Sequence, residues 1–134
     1  MPDVRFSDRQ LKFVSAPRIG RLASIMPDGS PHVAPIWYRF EGGAFLVLTE
    51  RGSQKHRNVE RDPRVVLCID DEKAPYHTVL VRGMVEIGES PPREWREGLA
   101  IHYLGEEAGR RYTAGNDSPN NVLLRLVPEH VSGW

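Results

Sequence analysis

The chain has a single cysteine, Cys68. No disulfide framework can form within it, and a reducing, cytoplasmic setting is the expectation. Neither sign of charge is in excess: 18 Lys+Arg face 18 Asp+Glu. A neutral chain lacks the general electrostatic footprint of a nucleic-acid or anionic-membrane binder, so neither is expected as a partner and any basic site must be local. No apolar run approaches the length of a membrane span, and the start, Met1-Pro-Asp-Val-Arg-Phe6, has no apolar signal core. There is no Gly-x-Gly-x-x-Gly turn and no Walker lysine motif, which argues against the nucleotide folds built on them. A Gly-x-Ser-x-Gly elbow is missing too, and none of the five histidines forms a His-x-x-x-His pair. Nucleophilic catalysis therefore has no evident carrier, and no metal site is expected. Cys68 lies inside the apolar run Val65–Ile69 and reads as a small buried hydrophobe.

What is present is enough for a folded core. Hydrophobic residues make up 40% of 134 positions, which suits one domain spanning 1–134. Ser7 with Gln10 three residues on has the form of a capping box, opening a helix that Pro17 ends. Arg18 to Met26 reads as a strand, and Asp28-Gly29 as a hairpin turn. His32 to Phe40 alternates, with Ala34, Ile36, Tyr38 and Phe40 on one face and Val33, Pro35 and Trp37 on the other. Pro35 cannot donate to a ladder, so this strand is expected at a sheet edge or bulged. Ala44 to Thr49 is a third strand. Ser53 to Arg61 is a short helix, followed by strands at Arg64–Asp70 and His77–Ile87. Pro91-Pro92 opens a helix with the stripe Trp95, Leu99, Tyr103, weakened at its end by Gly105 and Gly109. Asn121 to Val127 is the last strand, closed by Pro128. The short links favour antiparallel pairing in a barrel or sandwich.

The strongest chemical signal is Ser53-x-Lys-x-Arg-Asn58. A helix N-terminus offers free backbone N–H groups and the positive end of the dipole, and Lys55 and Arg57 add charge, so a phosphate could sit there. Taken alone, the residues read first as an ordinary solvated basic helix start. Trp37 and Tyr38 offer aromatic surface with polar tips. Pro35 and Trp37 point to a ligand wall, Ile36 and Phe40 to core packing. No acid–base pair stands out, as in proteins whose cofactor carries the reaction.

The ordered segments Gly20-Arg-Leu-Ala-Ser24, Pro27-Asp-Gly-Ser-Pro-His-Val33, Pro35-Ile-Trp-Tyr38, Thr49, Ser53-x-Lys-x-Arg-Asn58, Arg61-Asp-Pro-Arg-Val65, Val81-Arg-Gly-Met-Val-Glu86 and Arg125-Leu-Val-Pro128 resemble the pyridoxamine 5'-phosphate oxidase-like split β-barrel superfamily. More narrowly they resemble its short flavin/deazaflavin oxidoreductases, which use coenzyme F420 or FMN. The resemblance implies a mainly β (α+β) fold, a six-stranded antiparallel split β-barrel with three short flanking helices. It implies a homodimer with cofactor sites at the interface, in keeping with the apolar area that Trp37, Tyr76 and Trp134 would otherwise expose. It implies a cofactor phosphate held by Ser53 and Lys55, with Arg57 and Asn58 nearby and Thr49 beside it, and a ring lying along Pro35, Ile36, Trp37 and Tyr38. The implied activity is hydride transfer between F420 and a small unsaturated or conjugated acceptor. An FMN-binding oxidoreductase of the same fold, or a non-enzymatic flavin- or tetrapyrrole-binding protein, is the alternative. The Arg-Leu-x-x-Arg segment of true pyridoxamine phosphate oxidases is missing, so a reaction other than vitamin B6 oxidation is expected.

Overall fold

The computed structural model describes residues 4–116 and 120–133; Trp134 lies outside the described residues. Helix α1 (Asp8–Ser15) opens at the expected capping box. The Ser7 hydroxyl accepts the Gln10 N–H at 3.1 Å, and the Gln10 side-chain oxygen accepts the Ser7 N–H at 2.9 Å. Strands β1 (Gly20–Ile25) and β2 (Pro31–Ile36) form a hairpin. Its turn is tied by Asp28, whose carboxylate accepts both the Ser30 N–H and the Ser30 hydroxyl. There follow β3 (Arg39–Glu41), β4 (Ala44–Glu50), α2 (Gln54–Arg61), β5 (Arg64–Asp70), β6 (Thr78–Gly88), α3 (Arg93–Leu104), α4 (Glu106–Gly115) and β7 (Asn121–Gly133).

All pairings are antiparallel, in one sheet of order β2-β1-β5-β6-β7-β4-β3. The edge strands β2 and β3 are consecutive in the chain, separated only by Trp37 and Tyr38. The sheet therefore curls until its edges meet at that link, which is the architecture of a split barrel. Its inner face is filled by Leu22, Phe45, Leu67, Ile69, Val79, Val81, Leu124 and Leu126, with Val14 of α1 and Val59 of α2 closing the ends.

Four details differ from the sequence-based expectation. The run His32–Phe40 is not one strand; it breaks at Trp37-Tyr38, where the chain leaves one edge and joins the other, so the sheet has seven strands rather than six. Pro35 does lie on an edge strand. Strand β7 does not stop at Pro128 but continues to Gly133. A bulge between Arg82 and Gly83 sets Pro128 opposite Gly83 and His130 opposite Arg82, beyond Leu126, the last residue to pair with β4. Proline is tolerated at such a bulge. Gly83 itself has no alternative, since a Cβ there would stand 2.2 Å from the Val127 carbonyl oxygen. A fourth helix, α4, was missed. Gly105, at φ 88, breaks the helical run, and Gly109 is buried where a Cβ would meet the Ile101 backbone at 2.6 Å. These glycines do not weaken a helix end; they fold α4 tightly back on α3. Finally, Cys68 is only half-buried, because Val65, Leu67 and Ile69 take the inner face and leave Cys68 on the outer one.

The seam at Trp37-Tyr38 is held from α3. The Tyr103 hydroxyl accepts the Tyr38 N–H at 2.9 Å, and its one proton has two alternative acceptors, the Arg18 carbonyl at 2.8 Å and the Tyr38 carbonyl at 3.0 Å. Burial pushes the Tyr103 phenol up to about 12, so it remains a donor. The Tyr38 hydroxyl in turn donates to the Val14 carbonyl at 2.8 Å, tying α1 to the same point. Tyr103→Phe keeps the ring and strands the Tyr38 N–H. The expected loss is about 1–3 kcal/mol of stability, read from denaturant midpoints with an unchanged m-value; an unaltered midpoint contradicts the seam's role.

Candidate functional site

A cavity of about 410 Å³ opens between the barrel seam and the α3–α4 hairpin. Its barrel side is the end of β2, Pro35 and Ile36, with Trp37 of the seam; the end of β4, Leu48, Thr49 and Glu50; and Asn121 at the start of β7. Lys55 reaches it from α2. The helical side is Arg96, Leu99 and Ala100 of α3, Tyr112 and Thr113 of α4, and Asn116 just after it. The Trp37 ring stacks on Tyr103 at 4.8 Å with an interplanar angle of 6°, and Tyr112 leans on it at 5.4 Å. Trp37 is thus half-buried within its own chain and is not the open apolar surface expected from the sequence; Tyr76, at 74% exposure, is.

The β4–α2 corner is built by short-range bonds. Ser53 caps α2, its hydroxyl accepting the His56 N–H at 3.4 Å and lying 3.1 Å from the Thr49 hydroxyl. The Gly52 N–H donates to Nδ1 of His56, which is 5% exposed and sets its Nε2 3.6 Å from Glu60. That bond assigns the His56 proton to Nε2. These contacts fix where α2 begins and hence where its free N–H groups and Lys55 lie. Burial holds the Lys55 ammonium below its ordinary value, partly offset by nearby Glu50. Half-stripped of water, that charge is poised for an anion.

The predicted residues separate into groups. Pro35, Ile36, Trp37, Thr49 and Lys55 come together on the cavity wall. Ser53 sits beside it as the helix cap. Arg57 points outward, its guanidinium donating to the Gln54 side chain at 2.7 Å. At 100° per residue it lies some 200° around α2 from Lys55. Asn58 is fully buried on the barrel side, donating to the Ser24 hydroxyl at 3.0 Å and accepting from Gln54 at 2.8 Å. Tyr38 is 1% exposed and turned into the core. Sequence reading missed the whole helical wall: Arg96, Ala100, Tyr112, Thr113 and Asn116. Leu99 was seen only as part of a stripe. A usable signal was Gly109, a small residue where two helices approach closely.

Among the described residues no group of three His, Cys, Asp or Glu side chains lies together, and no helix is long and apolar enough to cross a membrane. A second hollow, of about 540 Å³, is larger but shares no wall residue with the first; it rests on β1, Pro31 of β2, β5, β6 and the Glu129-His130 stretch of β7.

Comparison with known proteins agrees with this geometry. Residues 6–134 match the family described as pyridoxamine 5'-phosphate oxidase. The chain is 35% identical over 131 residues to an F420-dependent biliverdin reductase of Mycobacterium tuberculosis, covering 96% of this chain and 88% of that one. It is 25% identical over 138 residues to a 5a,11a-dehydrotetracycline/5a,11a-dehydrooxytetracycline reductase of Streptomyces rimosus, covering 96% and 97%. Among solved structures, one named F420 reductase superposes with a TM-score of 0.75 at 26% identity, covering 90% of this chain and 94% of that one. With a match that runs through the barrel, the seam and both walls of the cavity, the chain belongs to the pyridoxamine 5'-phosphate oxidase family.

Proposed function

We propose that this protein is an F420-dependent oxidoreductase that passes a hydride from reduced F420 to a small unsaturated or conjugated organic acceptor. The observation that carries the reading is one cavity in which the start of α2, with Lys55 and Thr49, faces the Pro35-Ile36-Trp37 wall. A planar ring joined to an anionic tail needs that combination: an apolar aromatic wall beside a partly desolvated cation and free backbone donors. The donor set therefore fits a deazaflavin with a phosphorylated side chain. Lys55 and the α2 N-terminus hold the phosphate, with the Thr49 and Ser53 hydroxyls beside it; Arg57 adds charge from the exposed side of the helix. Pro35, Ile36 and Trp37 carry the ring, and Tyr38 and Asn58 fix the wall and the helix from behind. When bound, reduced F420 supplies the hydride, so the side chains need only orient ring and acceptor and exclude water. The named activities of the two relatives, reduction of biliverdin and of a dehydrotetracycline, support a conjugated acceptor.

FMN is the second reading, supported by the family match. Spectra decide between them. The purified protein is expected colourless from a host lacking F420 and to bind added F420 tightly. Copurified FMN with indifference to F420 overturns the proposal. Lys55→Ala is expected to weaken F420 binding about 10–150-fold, the 1.5–3 kcal/mol of a hydrogen bond to a charged group, and wild-type affinity to fall with added salt. Unchanged affinity in the variant places the phosphate elsewhere.

The second part of the proposal is a homodimer with cofactor sites at the interface. Register sets Val33, Ala23, Val66 and Arg82 in one row across β2, β1, β5 and β6, and Pro35, Arg21, Cys68 and Leu80 in the next. Val33 is 61% and Leu80 39% exposed on this outer face, which a second copy packed there would cover. Light scattering at micromolar concentration with F420 present should return twice the 15.2 kDa chain mass; a cofactor-loaded monomer refutes the interface.

A further inference from the structure

The cavity wall includes three charged side chains, Lys55, Arg96 and Glu50. Glu50 is exposed and Arg96 half-buried. The cofactor reading employs Lys55 and leaves Arg96 without a task. Arg96 stands in the first turn of α3, its backbone N–H bonded to the Pro92 carbonyl. Three and four residues on come Leu99, 4% exposed, and Ala100, 2% exposed, both on the same wall. Tyr103 follows, its ring stacked under Trp37. Arg96, Leu99, Ala100 and Tyr103 have the i, i+3, i+4, i+7 spacing of one helix face. That face runs from a cation, across an apolar floor, to the aromatic pair at the seam.

We propose that Arg96 is the acceptor-recognising residue, gripping the carboxylate of a flat conjugated acceptor whose body lies on the α3 floor beside Trp37. The proposal rests on the F420 reading for turnover but not for binding. Seven residues of helix span roughly 10 Å, so the acceptor is extended, with its acidic group about that far from the conjugated part that lies toward the seam, next to the cofactor ring. A guanidinium offers a planar fork to a carboxylate, and its stem can lie along the apolar floor. An ester of the same shape keeps the apolar contacts and loses the charge-assisted pair. The predicted substrate class is thus planar conjugated acids, in preference to their neutral analogues.

Biliverdin and its dimethyl ester make a matched pair of probes. Binding is read without cofactor from quenching of tryptophan fluorescence, and turnover from kcat/KM with reduced F420. Wild type is expected to favour the acid at least about ten-fold, as loss of a hydrogen bond to a charged group requires. Arg96→Gln is expected to abolish that preference, and Arg96→Lys to keep part of it. Lys55→Ala, which leaves Arg96 in place, is expected to retain the preference and to weaken F420. Equal binding of acid and ester by wild type overturns the proposal whether or not the Arg96 variants fold. So does a preference that survives Arg96→Gln, or one that disappears in Lys55→Ala. Acid-selective quenching without F420 binding sinks the cofactor reading and leaves Arg96 standing; F420 binding without acid selectivity does the reverse.

Discussion

A single phenol oxygen holds the point on which the rest of the architecture depends. Strands β2 and β3 are the two edges of the sheet and also neighbours in the chain, so the barrel can close only if the link between them turns sharply. Such a turn leaves backbone groups without ladder partners, and burying them bare would be costly. Tyr103 answers the N–H of Tyr38 and offers its one proton to the Arg18 or the Tyr38 carbonyl. Its ring meanwhile stacks on Trp37. Closing the barrel and orienting the cavity's aromatic wall are therefore one event. The helix that supplies Tyr103 also supplies Leu99, Ala100 and Arg96 to the opposite side of the cavity, so the seam and the site share their supports.

The electrostatics of the cavity are local in a chain of no net charge. At the β4–α2 corner, the Thr49–Ser53 contact and the Gly52–His56 bond fix where the helix begins. Lys55 reaches the cavity from that corner, its ammonium depressed mainly by lost hydration. A lysine in that state gains more from an incoming anion than a fully solvated one, because part of its desolvation has already been imposed by the fold.

The motif around Ser53 was legible as chemistry, but its residues divide by helix geometry. Ser53 is the cap, Lys55 faces the cavity, Arg57 faces solvent, and Asn58 reaches inward to Ser24 on β1. Adjacency in sequence gave no warning of this, since each step around a helix turns the side chain by 100°. The capping box at Ser7 and the two faces of the β6 strand, by contrast, were legible because their geometry is set within a few residues. Where reading failed, the deciding contact was distant. Nothing near Trp37 announces a break in the strand, because its cause is Tyr103, sixty-five positions away from Tyr38. Pro128 reads as a stop because a proline cannot donate; it is tolerated because β7 bulges beside it, with Glu129 the extra residue opposite the Arg82–Gly83 step of β6. Gly109 looked like a helix breaker because propensity is a local quantity; its use is the close approach to Ile101.

That last error has a functional side. Treating Gly105 and Gly109 as the fraying of one helix removed α4 from view, and with it Tyr112, Thr113 and Asn116. A cavity read from the barrel alone has a cationic end and an aromatic wall but no far side. The α3–α4 hairpin provides the far side, and it lies between Glu86 and Arg125, outside the segments that carry the family resemblance. If the barrel and α2 corner hold one ligand, as proposed, residues outside those elements are where a second ligand can be distinguished. Arg96, the cation of that wall, is the residue through which such a distinction is proposed to act on charge rather than on shape alone.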